Sequence, residues 1–173
     1  MIIRTSRPED RQAVLDLVES TGFFHPGEVS IAAEVLDDAL GEGPEGHYQS
    51  FTADDHDGHP VGWVCYGPTP CTVGTFDLYW IAVAPGRQGR GLGKALMAHA
   101  EKLIAERGGR LVVVETSGAE RYHATRQFYL RVGYQEAARI RDFYAPGDDK
   151  VVFTKCLTGD TATEGGRTQV GHT

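Results

Sequence analysis

The segment Arg87-Gln88-Gly89-Arg90-Gly91-Leu92-Gly93-Lys94 has the residue types and spacing to do chemistry. Glycines at alternate positions let the backbone turn sharply and bring several N–H groups together. Arg87, Arg90 and Lys94 add positive charge, and no acid interrupts the chain between Asp77 and Glu101. Upstream, the apolar run 78–83 reads as a buried strand; downstream, Leu92, Leu96, Ala100 and Leu103 recur at helical spacing. A helix starting there contributes the positive end of its dipole. The corner therefore predicts an anion site, best suited to phosphate.

Two common phosphate motifs do not fit. A P-loop needs Gly at position 88 and Ser or Thr at 95, where the chain has Gln88 and Ala95. A dinucleotide fingerprint starting at Gly89 needs Gly at position 94, which is Lys94. What remains is Gln-x-x-Gly-x-Gly, read at Gln88, Gly91 and Gly93. This resembles the pyrophosphate motif of the GCN5-related N-acetyltransferase (GNAT) family of acyl-CoA N-acyltransferases. Residues 125–134, Thr-Arg-Gln-Phe-Tyr-Leu-Arg-Val-Gly-Tyr, are similar to that family's A-x-x-F-Y-x-x-x-G-F helix end, with Thr125 in place of Ala. Tyr122 stands where the family often has an Asn on the pantetheine arm.

The elements needed to position such a corner can be read along the chain. Residues 2–4 suggest a first strand, and Ser6-Arg7-Pro8-Glu9 reads as a capping box opening a helix that ends near Gly22. Ile31, Val35, Leu36, Ala39 and Leu40 mark a second helix. Strands are expected over 48–53 and 61–66, followed by the central strand, the glycine corner and a long helix stopped at Gly108-Gly109. A strand at 111–115, a helix at 121–132 and a hairpin of 134–144 with 150–157 complete the order. The sequence β-α-α-β-β-β-α-β-α-β-β resembles the GNAT fold over residues 1–157. It implies an α/β (α+β type) domain with a mixed, mostly antiparallel twisted sheet of six or seven strands flanked by about four helices. Residues 158–173 contain almost no apolar side chains and read as a disordered tail.

Composition narrows the function classes. The chain has 173 residues, 40% hydrophobic and 24% charged, which suits one soluble domain with a real core. A net charge of −7 argues against nucleic acid or an anionic membrane as partner and suits a cationic acceptor. No apolar run approaches a membrane span, and Met1-Ile2-Ile3-Arg4 lacks a signal-peptide pattern. Three cysteines, Cys65, Cys71 and Cys156, without zinc or redox spacing point to a reducing cytoplasm. Asp54-Asp55-His56-Asp57-Gly58-His59 reads as a polar hairpin turn, and no metal is expected. A homodimer is the default assembly.

The resemblance implies acetyl transfer from acetyl-CoA to a small-molecule or protein amine, by direct attack in a ternary complex. Gln88, Gly89, Arg90, Gly91, Gly93 and Lys94 are the implied pyrophosphate binders, Arg126 a contact for the 3′-phosphate. A lysine-like amine is only about 0.04 percent neutral at pH 7, so a base is required. Asp77 lies eleven positions before Gln88, the separation at which histone-acetyltransferase members carry a strand glutamate base. Period-two alternation puts Asp77, Tyr79, Ile81 and Val83 on one strand face, the last two along the cofactor. Glu115, at a neighbouring strand's carboxyl end, competes for the base role. Tyr129, carried by the Phe-Tyr match, is the implied acid for the leaving thiolate. Phe24, His25 and Glu28, in the loop between the first two helices, and Tyr79 are expected to border the acceptor. The alternative function is a non-catalytic acyl-CoA-binding module.

Overall fold

The computed structural model describes residues 1–157; the tail expected over 158–173 lies outside them. Seven strands form one sheet: β1 (Ile2–Thr5), β2 (Gln49–Asp54), β3 (Pro60–Pro68), β4 (Thr75–Val83), β5 (Leu111–Ser117), β6 (Gln135–Ala145) and β7 (Asp148–Cys156). Their spatial order is β1-β2-β3-β4-β5-β7-β6. Every neighbouring pair is antiparallel except β4 with β5. That exception follows from the connection: helix α3 (Leu92–Glu106) carries the chain back across the sheet between them.

Two cores sit on the two faces. Helix α3 turns Leu92, Leu96, Ala100 and Ile104 inward, a stripe repeating every four residues, against Val64, Tyr66, Phe76 and Leu78. Complete burial of side chains such as Leu96 and Ile104 contributes about 1.5–3 kcal/mol each. On the other face, α1 (Arg11–Ser20) and α2 (Pro26–Glu42) cover Trp63, Cys65 and Ala82 with Val14, Val18 and Leu36. Helix α4 (His123–Arg131) joins the α3 side, with Tyr129 in that core. Strand β6 closes the sheet as an edge with every residue exposed. Among the described residues, no helix is long and apolar enough to cross a membrane.

Local chemistry moved several expected boundaries. Ser6 does not cap the first helix: its hydroxyl is buried and hydrogen-bonded to Thr52 and Ser50. A 3-10 turn, Pro8–Asp10, intervenes, and the Asp10 carboxylate accepts the Arg7 N–H at 2.7 Å. Arg4 holds Asp10 and Asp54 at 2.6 Å each, tying β1, β2 and this turn together. Helix α2 starts at Pro26, five residues before the apolar periodicity begins. Proline fits the first helical position, and Glu28 accepts the His25 N–H at 2.8 Å.

Candidate active site

Between β4 and α3 the chain makes another 3-10 turn, Pro85–Arg87, and then passes Gly89 at φ 71° and Gly91 at φ 83°. Both are left-handed conformations that side chains resist. Gln88 donates from Nε2 to the Val83 carbonyl at 3.0 Å, fastening the loop to the end of the strand. The first helical bond of α3 is Ala95 N–H to Gly91 O, at 2.9 Å. Among the described residues, the N–H groups of residues 89–94 donate to nothing. Six free donors in a row form a ready cradle for a phosphate group. Arg90 and Lys94 are exposed beside it; Arg87 pairs with Asp55 of the β2–β3 turn at 3.2 Å. Gly93 is needed for packing: a Cβ there would lie 3.2 Å from the Phe128 ring of α4.

The cradle follows the end of β4, which borders a split in the sheet. Strands β4 and β5 pair only through Thr75, Phe76 and Asp77 with Leu111, Val112 and Val113. Beyond this, β4 runs on to Val83 and β5 to Ser117 without pairing. The two strands part immediately after Asp77, leaving backbone groups along both edges free for an extended ligand.

A β-bulge corrects the expected alternation. Trp80 pairs with Cys65 and Leu78 with Tyr66, so Tyr79 has no partner in β3. One extra residue shifts the alternation by one. Ile81 and Val83 therefore share the α3 face with Phe76 and Leu78, whereas Trp80 and Ala82 join the α1–α2 core. Asp77 lies on the opposite face from Ile81 and Val83, not beside them as strict alternation predicts.

The candidate catalytic groups differ in their surroundings. Asp77 accepts a 2.7 Å hydrogen bond from Thr69 Oγ1 through Oδ2 and has no ionic partner among the described residues. Glu115 is paired with Lys150 at 2.5 Å and its side chain is 46% exposed. Val113 is the register partner of Asp77, so Glu115, two residues on, faces the same side of the sheet. Tyr129 is buried, its ring packed on Phe128, Tyr134 and Phe153 at centroid distances of 5.5, 5.9 and 5.7 Å. Burial pushes its phenol well above the ordinary tyrosine value, so it stays protonated.

The expected cofactor and acceptor contacts also have partners within the protein. Arg126 donates through Nη1 to the carbonyls of Ser117 and Ala119, both at 2.8 Å, closing the turn from β5 into α4. The turn is closed through Nη1 alone, and the Arg126 guanidinium keeps its charge for the 3′-phosphate contact that the resemblance implies. Phe24 packs edge-on against Trp80 at 5.0 Å. His25 Nε2 lies 2.7 Å from Arg121, and the Tyr122 hydroxyl donates to Phe23 O at 3.1 Å, docking the α1–α2 loop onto the turn before α4. In the hairpin turn, Asp55 Oδ1 accepts the N–H groups of Asp57 and His59. Ligand atoms of Asp55, Asp57 and His59 lie within 4.8 Å of one another.

The sequence matches the acetyltransferase (GNAT) family over residues 14–134. The chain belongs to the GNAT family. A solved structure described as a GNAT-family acetyltransferase, from Desulfovibrio desulfuricans, is 44% identical, with a TM-score of 0.86 over 90% of this chain and 98% of that one. At lower identity the fold alone is shared. An aminoglycoside 6′-N-acetyltransferase complexed with coenzyme A is 17% identical, with a TM-score of 0.73 over 92% and 99% of the two chains. The ribosomal-protein-S18-alanine N-acetyltransferase of Escherichia coli is 20% identical, with a TM-score of 0.72 over 94% and 97%. No curated protein matches the sequence significantly.

Within this GNAT chain, the structure puts Ile81, Val83, Leu92, Gly93 and Phe128 together on the α3 face of the sheet and Asp77, Glu115 and Tyr79 on the other. Sequence reasoning missed His47, Thr69, Lys150 and Arg121. None sits in a motif, and each meets its partner only through folding.

Proposed function

We propose that this protein is an acetyl-CoA-dependent N-acetyltransferase acting on a primary amine by direct attack in a ternary complex. The row of free N–H groups at residues 89–94, at the end of the strand that parts from β5, carries that reading. Gln88 shapes the loop, and Gly89, Arg90, Gly91, Gly93 and Lys94 would receive the pyrophosphate, with Ile81 and Val83 lining the arm. When bound, acetyl-CoA supplies an activated thioester whose carbon accepts the amine. The −7 charge favours a cationic acceptor.

Asp77 is the better placed base. It stands at the apex of the split with one carboxylate oxygen uncommitted, whereas Glu115 is engaged by Lys150. Tyr129 serves as the acid for the leaving sulfur. Phe24 and His25 of the docked α1–α2 loop, with Glu28 in the first turn of α2, shape the acceptor side. A non-catalytic acyl-CoA-binding module draws support from the burial of Tyr129 among aromatic rings. Thiol release from acetyl-CoA, measured across aminoglycosides, polyamines, amino acids and peptides with free N-terminal alanine or lysine, decides between them. Amine-dependent release supports the transferase. Tight CoA binding without release to any amine supports the binding module.

A further inference from the structure

The acceptor arrives as an ammonium and must lose two protons: one compensates the departing thiolate, and the other must reach solvent. The groups assigned so far receive a proton on attack, at Asp77, and donate one to sulfur, from Tyr129. Neither provides a route outward.

We propose that Tyr79 and His47 form that route, with Tyr79 passing the first ammonium proton to His47 Nε2 and His47 delivering it to water. The proposal rests on the acetyl-transfer reading above. Tyr79 is the bulge residue, two positions past Asp77, where the strands begin to part, and is 36% exposed. Its hydroxyl lies 3.3 Å from His47 Nε2. Both heads are held in place. The His47 ring meets Tyr48 edge-on at 4.7 Å, and Tyr48 meets Tyr79 edge-on at 5.2 Å. The His47 N–H donates to Glu42 at 2.7 Å. Gly67 of β3 permits this approach, because a Cβ there would stand 2.7 Å from the His47 carbonyl and 3.2 Å from both Nε2 and the Tyr79 ring.

The step balances. An ammonium N–H bond breaks, its electron pair remains on nitrogen, and the proton joins Tyr79 Oη as Tyr79's own proton moves to His47 Nε2. The imidazolium then loses a proton to water. Transfer through Tyr79 must be concerted, because burial, with a further contribution from the Asp77 charge, pushes its phenol up to about 12. The charged and titratable groups facing the pair are Glu42 of α2, Tyr48 before β2, Cys65 of β3 and Asp77 of β4, with Asp38 of α2 behind Tyr48.

The test uses His47→Ala, His47→Gln and Tyr79→Phe in the full chain, with acetyl-CoA and the best amine from the panel. We expect kcat/KM at pH 7 to fall at least about tenfold in each, within the range of lost proton transfer, while the CoA dissociation constant is unchanged. The deficit should shrink as pH approaches the amine's own titration range, and free imidazole should restore His47→Ala but not Tyr79→Phe. In the free protein, the His47 Nε2 resonance in nitrogen NMR should move in Tyr79→Phe. Activity of both His47 variants within about twofold of wild type at all pH values overturns the relay. A loss independent of pH and deaf to imidazole, or an Nε2 resonance unmoved by Tyr79→Phe, also overturns it. Wild-type protein that transfers to no amine overturns the underlying transferase reading, and the relay with it.

Discussion

Replacing Gly91 by Asp, with Gly91→Asn as its neutral isostere, isolates the charge chemistry of the cradle. Both substitutions carry the strain of a φ of 83°, and a Cβ at this position has no neighbour within 4 Å. They therefore differ mainly by one negative charge. A carboxylate roughly 5 Å from two phosphate charges, at an effective dielectric of about 40, costs about 3 kcal/mol. That weakens CoA binding roughly 100-fold, at about 1.4 kcal/mol per factor of ten. With ligand at about 100 times the wild-type dissociation constant, wild type gains about 2.7 kcal/mol, which the Asp variant reduces to about 0.4 kcal/mol. For a chain of this size the wild-type Tm should then rise roughly 5–11 °C and the Asp variant about 1 °C. Asn should retain most of the wild-type shift. Differential scanning calorimetry with and without CoA, and calorimetric titration for affinity, give the comparison. Equal CoA affinity in folded Asp and Asn variants would refute a pyrophosphate site at residues 89–94.

Further outcomes follow from individual contacts. If Asp77 alone deprotonates the ammonium, Asp77→Asn should lower kcat/KM at pH 7 by about 100-fold and recover toward high pH, while Glu115→Gln should change mainly KM; a loss in Asp77→Asn without that recovery leaves Asp77 the proton released on attack, and the reverse pattern in pH-resolved kinetics transfers the base role to Glu115. Tyr129→Phe should lower kcat by about 100-fold with CoA affinity unchanged, and activity within about twofold of wild type would make Tyr129 a packing residue only. The Arg4 guanidinium beside Asp10 holds its carboxyl below the ordinary range, so this pair stabilises the fold above the unfolded value of about 3.9 and loses that contribution as pH falls through the folded value. Asp10→Asn should cost about 1.5–3 kcal/mol at neutral pH and flatten the acid limb of urea-unfolding stability; an unchanged limb refutes the assignment.

The glycine corner was legible because its physics is local. Alternating glycines, nearby cations and a helix start are all specified within residues 87–94, and folding then leaves their N–H groups free. The order of strands and helices was legible for the same reason, since apolar periodicity and Gly or Pro punctuation act over a few residues. The interior boundaries failed where a distant group intervened. Ser6 looked like a cap, but Thr52 and Ser50, across the sheet, took its hydroxyl.

The placement of the candidate catalytic groups depended on longer range. Period-two alternation along β4 is a sound local rule, yet the bulge at Tyr79 exists only in the pairing with β3, and it moved Asp77 to the face opposite Ile81 and Val83. The charge environments that separate Asp77 from Glu115 come from Thr69 and Lys150, the latter 35 positions from its partner. His47 meets Tyr79 across 32 positions, and Tyr122 meets Phe23 across 99. The sequence by itself therefore determined the element order and the glycine-rich corner between β4 and α3. Only tertiary structure decided which strand face each side chain takes, which carboxylate is left unpaired and where the α1–α2 loop docks. Those choices depend on register and on contacts between residues that no local spacing relates.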